Sequence, residues 1–136
     1  MKKHLIFMYG SLRRGSAGSM SVRFPRAEFI AKTKVRGSLY DLGTYPGLRL
    51  DNAESYVTGE LYEIDDETLI LLDEFEASSN YRRAQVEISL GADKRKCWTY
   101  EPDPSFYPLR KLISSGDWIE YSKPEKPAEA SNEPTP

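Results

Sequence analysis

The sequence predicts an α+β domain built on a strongly curved mixed sheet or small barrel, with one or two helices. About six segments carry the alternating or apolar patterns of β-strands, whereas only residues 67–74 show clear helical spacing. A single helical crossover argues against a doubly wound parallel sheet. The chain of 136 residues, 39% of them hydrophobic, suits one domain with its own core.

The first half of the chain supplies three of the predicted strands. The apolar run at residues 5–8 predicts a short buried strand, and residues 16–20 favour one helical turn. Residues 27–40 predict one long strand, or two strands kinked at Gly37. Residues 41–48 carry a Pro-Gly pair and predict a turn, after which residues 56–64 alternate as a strand.

The helix predicted at residues 67–74 has an acidic start and one apolar face. Asp65 is a suitable N-cap, and the acidic residues after it favour the positive end of the helix dipole. Leu69, Leu72 and Phe75 repeat every three residues and form one apolar stripe. This stripe is expected to face the core.

The second half of the chain predicts further strands and a tail. Residues 81–90 and 96–100 read as strands around a turn at 91–93, and residues 109–113 as a short strand or helix. Residues 122–136 hold four of the nine prolines and no large apolar residue, so they bury too little surface to offset their ordering entropy. The expected division is a folded domain at residues 1–121 and a flexible Pro/Glu-rich tail at 122–136.

Composition excludes several classes of protein. The single cysteine, Cys97, rules out an internal disulfide framework, and no run of 18 apolar residues is present to span a membrane. The apolar run near the N-terminus is too short for a signal-peptide core, so a cytoplasmic protein is expected. Residues 1–50 carry a charge of +8 and residues 51–136 a charge of −10, but the basic residues are scattered. Neither nucleic acid nor membrane is therefore an expected partner.

The scarcity of histidine and cysteine restricts the chemistry. His4 is the only histidine and reads as a surface or strand-end residue, so a Cys/His metal site is not expected. The glycines after the first strand match neither a P-loop nor a dinucleotide fingerprint, and no cofactor is expected. Acid–base chemistry would fall to carboxylates or tyrosines.

Glu76 is the carboxylate that stands out. Asp73 and Glu76 share a helix face if the helix reaches that far, whereas Glu74 points about 100° away, toward water. A carboxylate at a helix C-terminus feels the negative end of the dipole, and burial beside Phe75 would also disfavour its charge. Glu76 is thus a candidate for a raised pKa and proton transfer, the alternative being an ordinary solvated helix end.

The loop after the first strand is the candidate ligand-binding element. Gly10 and Gly15 bracket it, and glycine lets backbone N–H groups approach a ligand closely. Several N–H groups aimed into one concavity bind an anion or a carboxylate. The alternative is a turn that binds nothing.

Five segments in this order resemble the gamma-glutamylcyclotransferase-like family. They are the Tyr-Gly-Ser-Leu loop at residues 9–12 and residues 37–47, 57–62, 72–83 and 116–118. The resemblance spans about residues 4–119 and is strongest to the small gamma-glutamylamine cyclotransferase branch and its bacterial relatives. It implies a six-stranded, barrel-like α+β fold with a cavity.

The resemblance also implies a reaction and a site. The reaction releases 5-oxoproline and a free amine from a γ-glutamyl compound by attack of the substrate's own α-amine, and requires no cofactor or metal. The catalytic glutamate of the family matches Glu76. The residues implied to bind the small γ-glutamyl substrate are Tyr9, Gly10, Ser11, Leu12 and Tyr81.

Phe75 before the glutamate fits the small branch and favours a γ-glutamylamine substrate. Two other readings stay open. One is a non-catalytic ligand-binding or regulatory module on the same fold, and the other is a small hydrolase that uses Ser11 or Glu76.

Overall fold

A computed structural model of the chain describes residues 3–10, 12–13, 19–43, 45–51, 54–105, 107 and 111–122. These residues form eight strands and three helices. The strands are β1 (Lys3–Met8), β2 (Glu28–Arg36), β3 (Ser38–Asp41), β4 (Pro46–Arg49), β5 (Tyr56–Asp65), β6 (Tyr81–Leu90), β7 (Asp93–Pro102) and β8 (Lys111–Leu112). The helices are α1 (Met20–Arg23), α2 (Asp66–Ala77) and α3 (Trp118–Ser122).

The strands form a five-stranded sheet in the order β2-β5-β1-β7-β6 and a three-stranded sheet in the order β4-β3-β8. Strand β1 lies in the middle of the larger sheet, antiparallel to β5 and parallel to β7, where Ile6 pairs with Trp98. The larger sheet is therefore mixed, and the first strand of the chain is flanked by strands from its middle and its C-terminal half.

The α+β class and the mixed sheet are confirmed, but the six-stranded barrel and the limit of two helices are not. The described strands form two sheets, and neither closes into a barrel. One difference from the prediction is β4, an edge strand that lies where a turn was predicted. Pro46 can be its first residue because that position tolerates a missing N–H donor. The third helix, α3, begins at Trp118.

The two faces of β1 contact two separate apolar clusters. Phe7 packs with residues of both sheets, including Leu39, Leu48 and Leu61. Ile6 and Met8 point to the opposite face, where the side chains from α2 pack. A strand buried on both faces is continuously apolar, which accounts for the run at residues 5–8.

Helix α2 begins as predicted and ends later than predicted. The Asp65 side chain accepts a hydrogen bond from the Thr68 N–H at 2.8 Å, and this bond is the main reason that the pKa of Asp65 falls to about 2. The helix continues past Glu74 to Ala77, and the chain then turns through Asn80 at a positive φ of 64°. Glu76 consequently lies in the last turn of the helix.

Gly37 separates β2 from β3, as the kinked alternative predicted. A Cβ atom at this position would lie 2.7 Å from the carbonyl oxygen of Arg49, which is too close for any other residue. The chain can therefore pass from one sheet to the other at this point.

Candidate active site

A cavity of about 370 Å³ lies where β1 ends, between the end of α2 and the edge strand β4. This volume is within the range of small-molecule sites. The described residues that line it are Phe7, Met8, Tyr9, Gly10, Leu12, Arg23, Tyr45, Pro46, Phe75, Glu76, Ser79, Tyr81 and Tyr100. Glu76, Tyr9, Gly10, Leu12 and Tyr81 are thus brought together around one cavity, whereas Ser11 lies outside the described residues.

Glu76 is the one acidic side chain among these described lining residues. It is mostly buried, and burial raises the pKa of its carboxyl group to about 7. Glu74, two residues earlier on α2, is exposed, as predicted from the helix geometry. The two carboxylates therefore differ in environment although they share one helix.

Three tyrosines surround Glu76, and none of them is suited to act as a base at neutral pH. Burial is the main cause that raises the pKa values of Tyr9, Tyr81 and Tyr100, and the nearby charge of Glu76 raises each of them further. Their hydroxyl groups therefore stay protonated. The Glu76 carboxyl, in contrast, changes its charge near pH 7.

The hydroxyl of Tyr9 is occupied within the protein. It donates a hydrogen bond to the Tyr100 carbonyl oxygen at 2.7 Å and accepts one from the Leu48 N–H at 3.1 Å. These two bonds join the end of β1 to β7 and β4. Tyr9 thus holds together three elements of the cavity, and its ring forms part of the wall.

The Tyr81 and Tyr100 side chains are also held in place. Tyr81 donates its hydroxyl hydrogen to the Pro46 carbonyl oxygen at 2.5 Å, which closes the cavity on the side of β4. Tyr100 donates to Asp73 Oδ1 at 2.8 Å, one helical turn before Glu76. The cavity wall is therefore tied by hydrogen bonds to both sheets and to α2.

The loop after β1 forms a tight turn against β4. The Arg13 N–H donates to the Gly10 carbonyl oxygen at 3.1 Å, and Leu12 is buried. A Cβ atom on Gly10 would lie 3.1 Å from Pro46 Cγ, so glycine allows the close approach of loop and strand. Of this loop, the described residues Tyr9, Gly10 and Leu12 line the cavity.

Arg13 anchors this loop, and sequence reasoning missed it. The side chain is only 5% exposed, and its Nη1 lies 2.7 Å from Asp117 Oδ1. Its Nε lies 3.7 Å from Glu60 Oε2, and Glu60 also accepts a hydrogen bond from the Tyr62 hydroxyl at 2.8 Å. The only sequence signal was an arginine within the candidate ligand-binding loop, which does not by itself indicate burial.

Arg23, Tyr45 and Tyr100 also line the cavity without having been predicted to do so. Arg23 is exposed at the end of α1, and its guanidinium carbon lies 5.1 Å from the centre of the Phe75 ring. Tyr45 belongs to the turn before β4, and Tyr100 to the end of β7. Their place at the cavity depends on how distant elements pack, which local patterns do not contain.

Two further findings concern the described residues as a whole. They hold no group of three or more His, Cys, Asp or Glu side chains that could bind a metal ion. Within the same part of the chain, each helix is too short or too polar to cross a membrane.

The family model described as "Gamma-glutamyl cyclotransferase, AIG2-like" matches residues 6–120. The "Gamma-glutamylcyclotransferase family protein YtfP" of Escherichia coli K12 is 34% identical over 120 residues, which cover 87% of this chain and 98% of that protein. The "Gamma-L-glutamyl-butirosin B gamma-glutamyl cyclotransferase" of Niallia circulans is 32% identical over 125 residues, or 85% of this chain and 76% of that protein. The crystal structure of an AIG2-like protein from Mus musculus has a TM-score of 0.66 and 26% identity, covering 85% of this chain and 90% of that one.

The fold, the cavity and these relatives define an enzyme of the gamma-glutamylcyclotransferase type, whose substrates are small γ-glutamyl compounds. The chain belongs to the gamma-glutamyl cyclotransferase, AIG2-like family. The reading of the chain as a non-catalytic module is therefore set aside.

Proposed function

We propose that the protein releases 5-oxoproline and a free amine from a γ-glutamyl compound, with Glu76 as general acid and base. The observation that carries this proposal is the Glu76 carboxyl, which lies in the cavity with a pKa of about 7. The α-amine of the substrate is itself the nucleophile, so no protein nucleophile is needed. Holding amine and carbonyl in contact supplies an effective molarity of about 10⁵ M or more.

The raised pKa of Glu76 makes the first proton transfer easier. The α-ammonium group of the substrate has a higher pKa than an ordinary glutamate, whose pKa is 4.5, so proton transfer to an ordinary glutamate is unfavourable. With the pKa of Glu76 at about 7, the free-energy cost of this transfer falls by about 3.4 kcal/mol, at 1.36 kcal/mol per pKa unit. Burial of the carboxyl thus contributes to the basicity that the reaction requires.

The proposed steps balance in protons and electrons. Glu76 takes one proton from the α-ammonium group, and the nitrogen lone pair then attacks the γ-carbonyl carbon. The bond from that carbon to the leaving nitrogen breaks, and its electron pair stays on this nitrogen, which receives a proton from Glu76. The second proton that the α-nitrogen loses also ends on the released amine, which departs as an ammonium ion. No water is consumed.

Five residues are proposed to bind the γ-glutamyl substrate. The backbone N–H groups of Gly10, Ser11 and Leu12 would hold the α-carboxylate of the γ-glutamyl group. The rings of Tyr9 and Tyr81 would enclose its methylene groups, since both hydroxyls are engaged within the protein. Phe75 before Glu76, which resembles the small branch of the family, favours a γ-glutamylamine as the substrate.

A product assay tests the proposal. The protein is incubated with γ-glutamylamines, γ-glutamyl-ε-lysine and γ-glutamyl dipeptides, and 5-oxoproline and free glutamate are both measured. Formation of 5-oxoproline that is lost in Glu76→Gln and kept in Glu74→Gln supports the proposal. Free glutamate as the only product would mean hydrolysis and would refute it.

A further inference from the structure

We infer that a second cavity, at the opposite end of β1 from Glu76, binds a small molecule that carries a phosphate group. This cavity of about 280 Å³ lies at the beginnings of β1 and β7, and β5 and β6 complete its wall. The described residues that line it are Lys3, His4, Leu5, Glu63, Gln85, Arg95, Lys96, Cys97 and Trp98. The described lining residues of the two cavities have no member in common, so this site is independent of the proposed reaction.

The register of β1 and β7 places two cations side by side at this cavity. The two strands are parallel, and Ile6 pairs with Trp98. Counting back three residues along both strands from this pair places Lys3 beside Arg95, on the same face of the sheet. Lys96, the next residue on β7, reaches the cavity from the opposite face. Like charges that face each other on neighbouring strands are destabilising, and a bound anion would relieve their repulsion.

These three cations have no carboxylate partner within the part of the chain that the structure describes. The ion pairs formed there include none of Lys3, Arg95 and Lys96. Asp65 is the register partner of Lys3 on β5, but its carboxylate is paired with Arg26, whose Nη2 lies 2.7 Å from Asp65 Oδ2. All three cationic side chains are exposed, so they are available to a ligand.

The charge of the second cavity fits a phosphate group. Among its described lining residues, Glu63 is the one carboxylate against three cations, which leaves an excess of two positive charges. His4 adds none to this excess, because its Nε2 lies 2.5 Å from Asp66 Oδ1 and any charge on the ring is matched there. A phosphate monoester carries a charge of about −1.5 to −2 at pH 7 and three acceptor oxygens. Arginine binds phosphate through two parallel hydrogen bonds and lysine binds it as a point charge, so this set of cations suits a phosphate group.

Calorimetry with glycerol 3-phosphate at pH 8 and constant ionic strength tests the inference. We expect the wild type to bind this compound, and Arg95→Gln and Lys3→Gln each to weaken its affinity by about tenfold, as for a lost charge-assisted hydrogen bond. The matched control Lys94→Gln removes an exposed positive charge from the same strand, outside the cavity, and should leave the affinity unchanged. Succinate, a dicarboxylate, should bind more weakly than glycerol 3-phosphate.

Four outcomes would overturn the inference. Equal weakening in Lys94→Gln and Arg95→Gln would mean that the diffuse charge of the surface attracts the phosphate. A loss of affinity in Arg23→Gln instead of Arg95→Gln would assign the binding to the cavity at Glu76. Succinate binding as tightly as glycerol 3-phosphate would refute the phosphate group as the preferred ligand. No binding of glycerol 3-phosphate by the wild type would refute the site.

Thermal unfolding separates ligand binding from a structural role of Arg95. Arg95→Gln relieves the repulsion from Lys3, so without phosphate its Tm should be no lower than that of the wild type. Glycerol 3-phosphate should raise the Tm of the wild type and of Lys94→Gln, because a ligand that binds the folded state stabilises it. The same concentration should raise the Tm of Arg95→Gln much less. An equal rise in Arg95→Gln and the wild type would refute the role of Arg95.

Discussion

Replacing Glu76 by glutamine should stabilise the protein above neutral pH while it abolishes activity. The carboxyl ionises with a pKa of about 7 in the folded protein, against an ordinary value of 4.5. Between these values the folded state binds more protons than the unfolded chain, so the stability from Glu76 is complete below pH 4.5 and is lost as the pH rises through 7. Glutamine has nearly the same shape and carries no charge at any pH.

The magnitude follows from the difference between the two pKa values. A difference of about 2.5 pH units corresponds to about 3.4 kcal/mol at 1.36 kcal/mol per unit. Glu76 is partly exposed, and screening by water lowers the expected effect to about 1–3 kcal/mol. From pH 5 to pH 8, the free energy of unfolding of Glu76→Gln should therefore rise by this amount relative to the wild type.

The assay is urea unfolding of both proteins at pH 5 and pH 8, together with kcat/KM across the same range. As the pH increases, the wild-type kcat/KM should rise with an apparent pKa of about 7. Glu76→Gln should lower kcat/KM by a factor of about 10²–10⁴. The control Glu74→Gln, at an exposed position on the same helix, should change neither quantity. If the difference in stability between the wild type and Glu76→Gln were the same at both pH values, the argument from a desolvated carboxylate would be wrong.

Three further predictions follow from the buried groups. Arg13→Met removes the cation shared by Glu60 and Asp117 and should lower the free energy of unfolding, measured in urea, by about 3 kcal/mol. A decrease below about 0.5 kcal/mol, as for a surface ion pair, would contradict the anchoring role. Tyr81→Phe leaves a carbonyl oxygen of β4 without its donor and should cost about 1 kcal/mol in the same assay, while an unchanged midpoint would mean that this bond does not stabilise the fold. Cys97 is buried, and burial raises the pKa of its thiol to about 12. A thiol reagent at pH 8 should therefore label Cys97 only after the protein unfolds, and rapid labelling of the native protein would refute its burial.

Local sequence patterns were sufficient for the elements with strong periodicity. The apolar run of β1, the alternation of β5 and β6 and the Asp65 cap all follow from neighbouring residues, so their positions were predicted to within a few residues. The sequence left two alternatives open for Glu76, burial beside an aromatic residue or a solvated helix end, and the structure has the carboxyl mostly buried. These features depend on contacts within about one turn or one strand.

The arrangement of the sheets and half of the cavity wall depend on long-range packing. Pro46 and Gly47 are typical turn residues, and only pairing with β3 makes them part of a strand. Arg13 was counted among scattered basic residues, because its partner Asp117 lies 104 positions further along the chain. Arg23 reaches the cavity only because α1 packs beside the end of α2. No local pattern could have indicated these contacts.

The place of β1 in the centre of the sheet affects how the protein is made. The ribosome releases β1 and its loop before their final partners. Strands β5 and β7, which pair with β1, and Asp117, which pairs with Arg13 of the loop, emerge about 50 to more than 100 residues later. Until then the apolar strand has no place to be buried, and such distant pairings form slowly. A growing chain stopped at residue 90 would already contain Glu76 and Tyr81, yet it would lack Tyr100 and Asp117, the partner of Arg13. The cavity can therefore form only after Tyr100 and Asp117 have been synthesised, and until then β1 is an apolar segment exposed to aggregation.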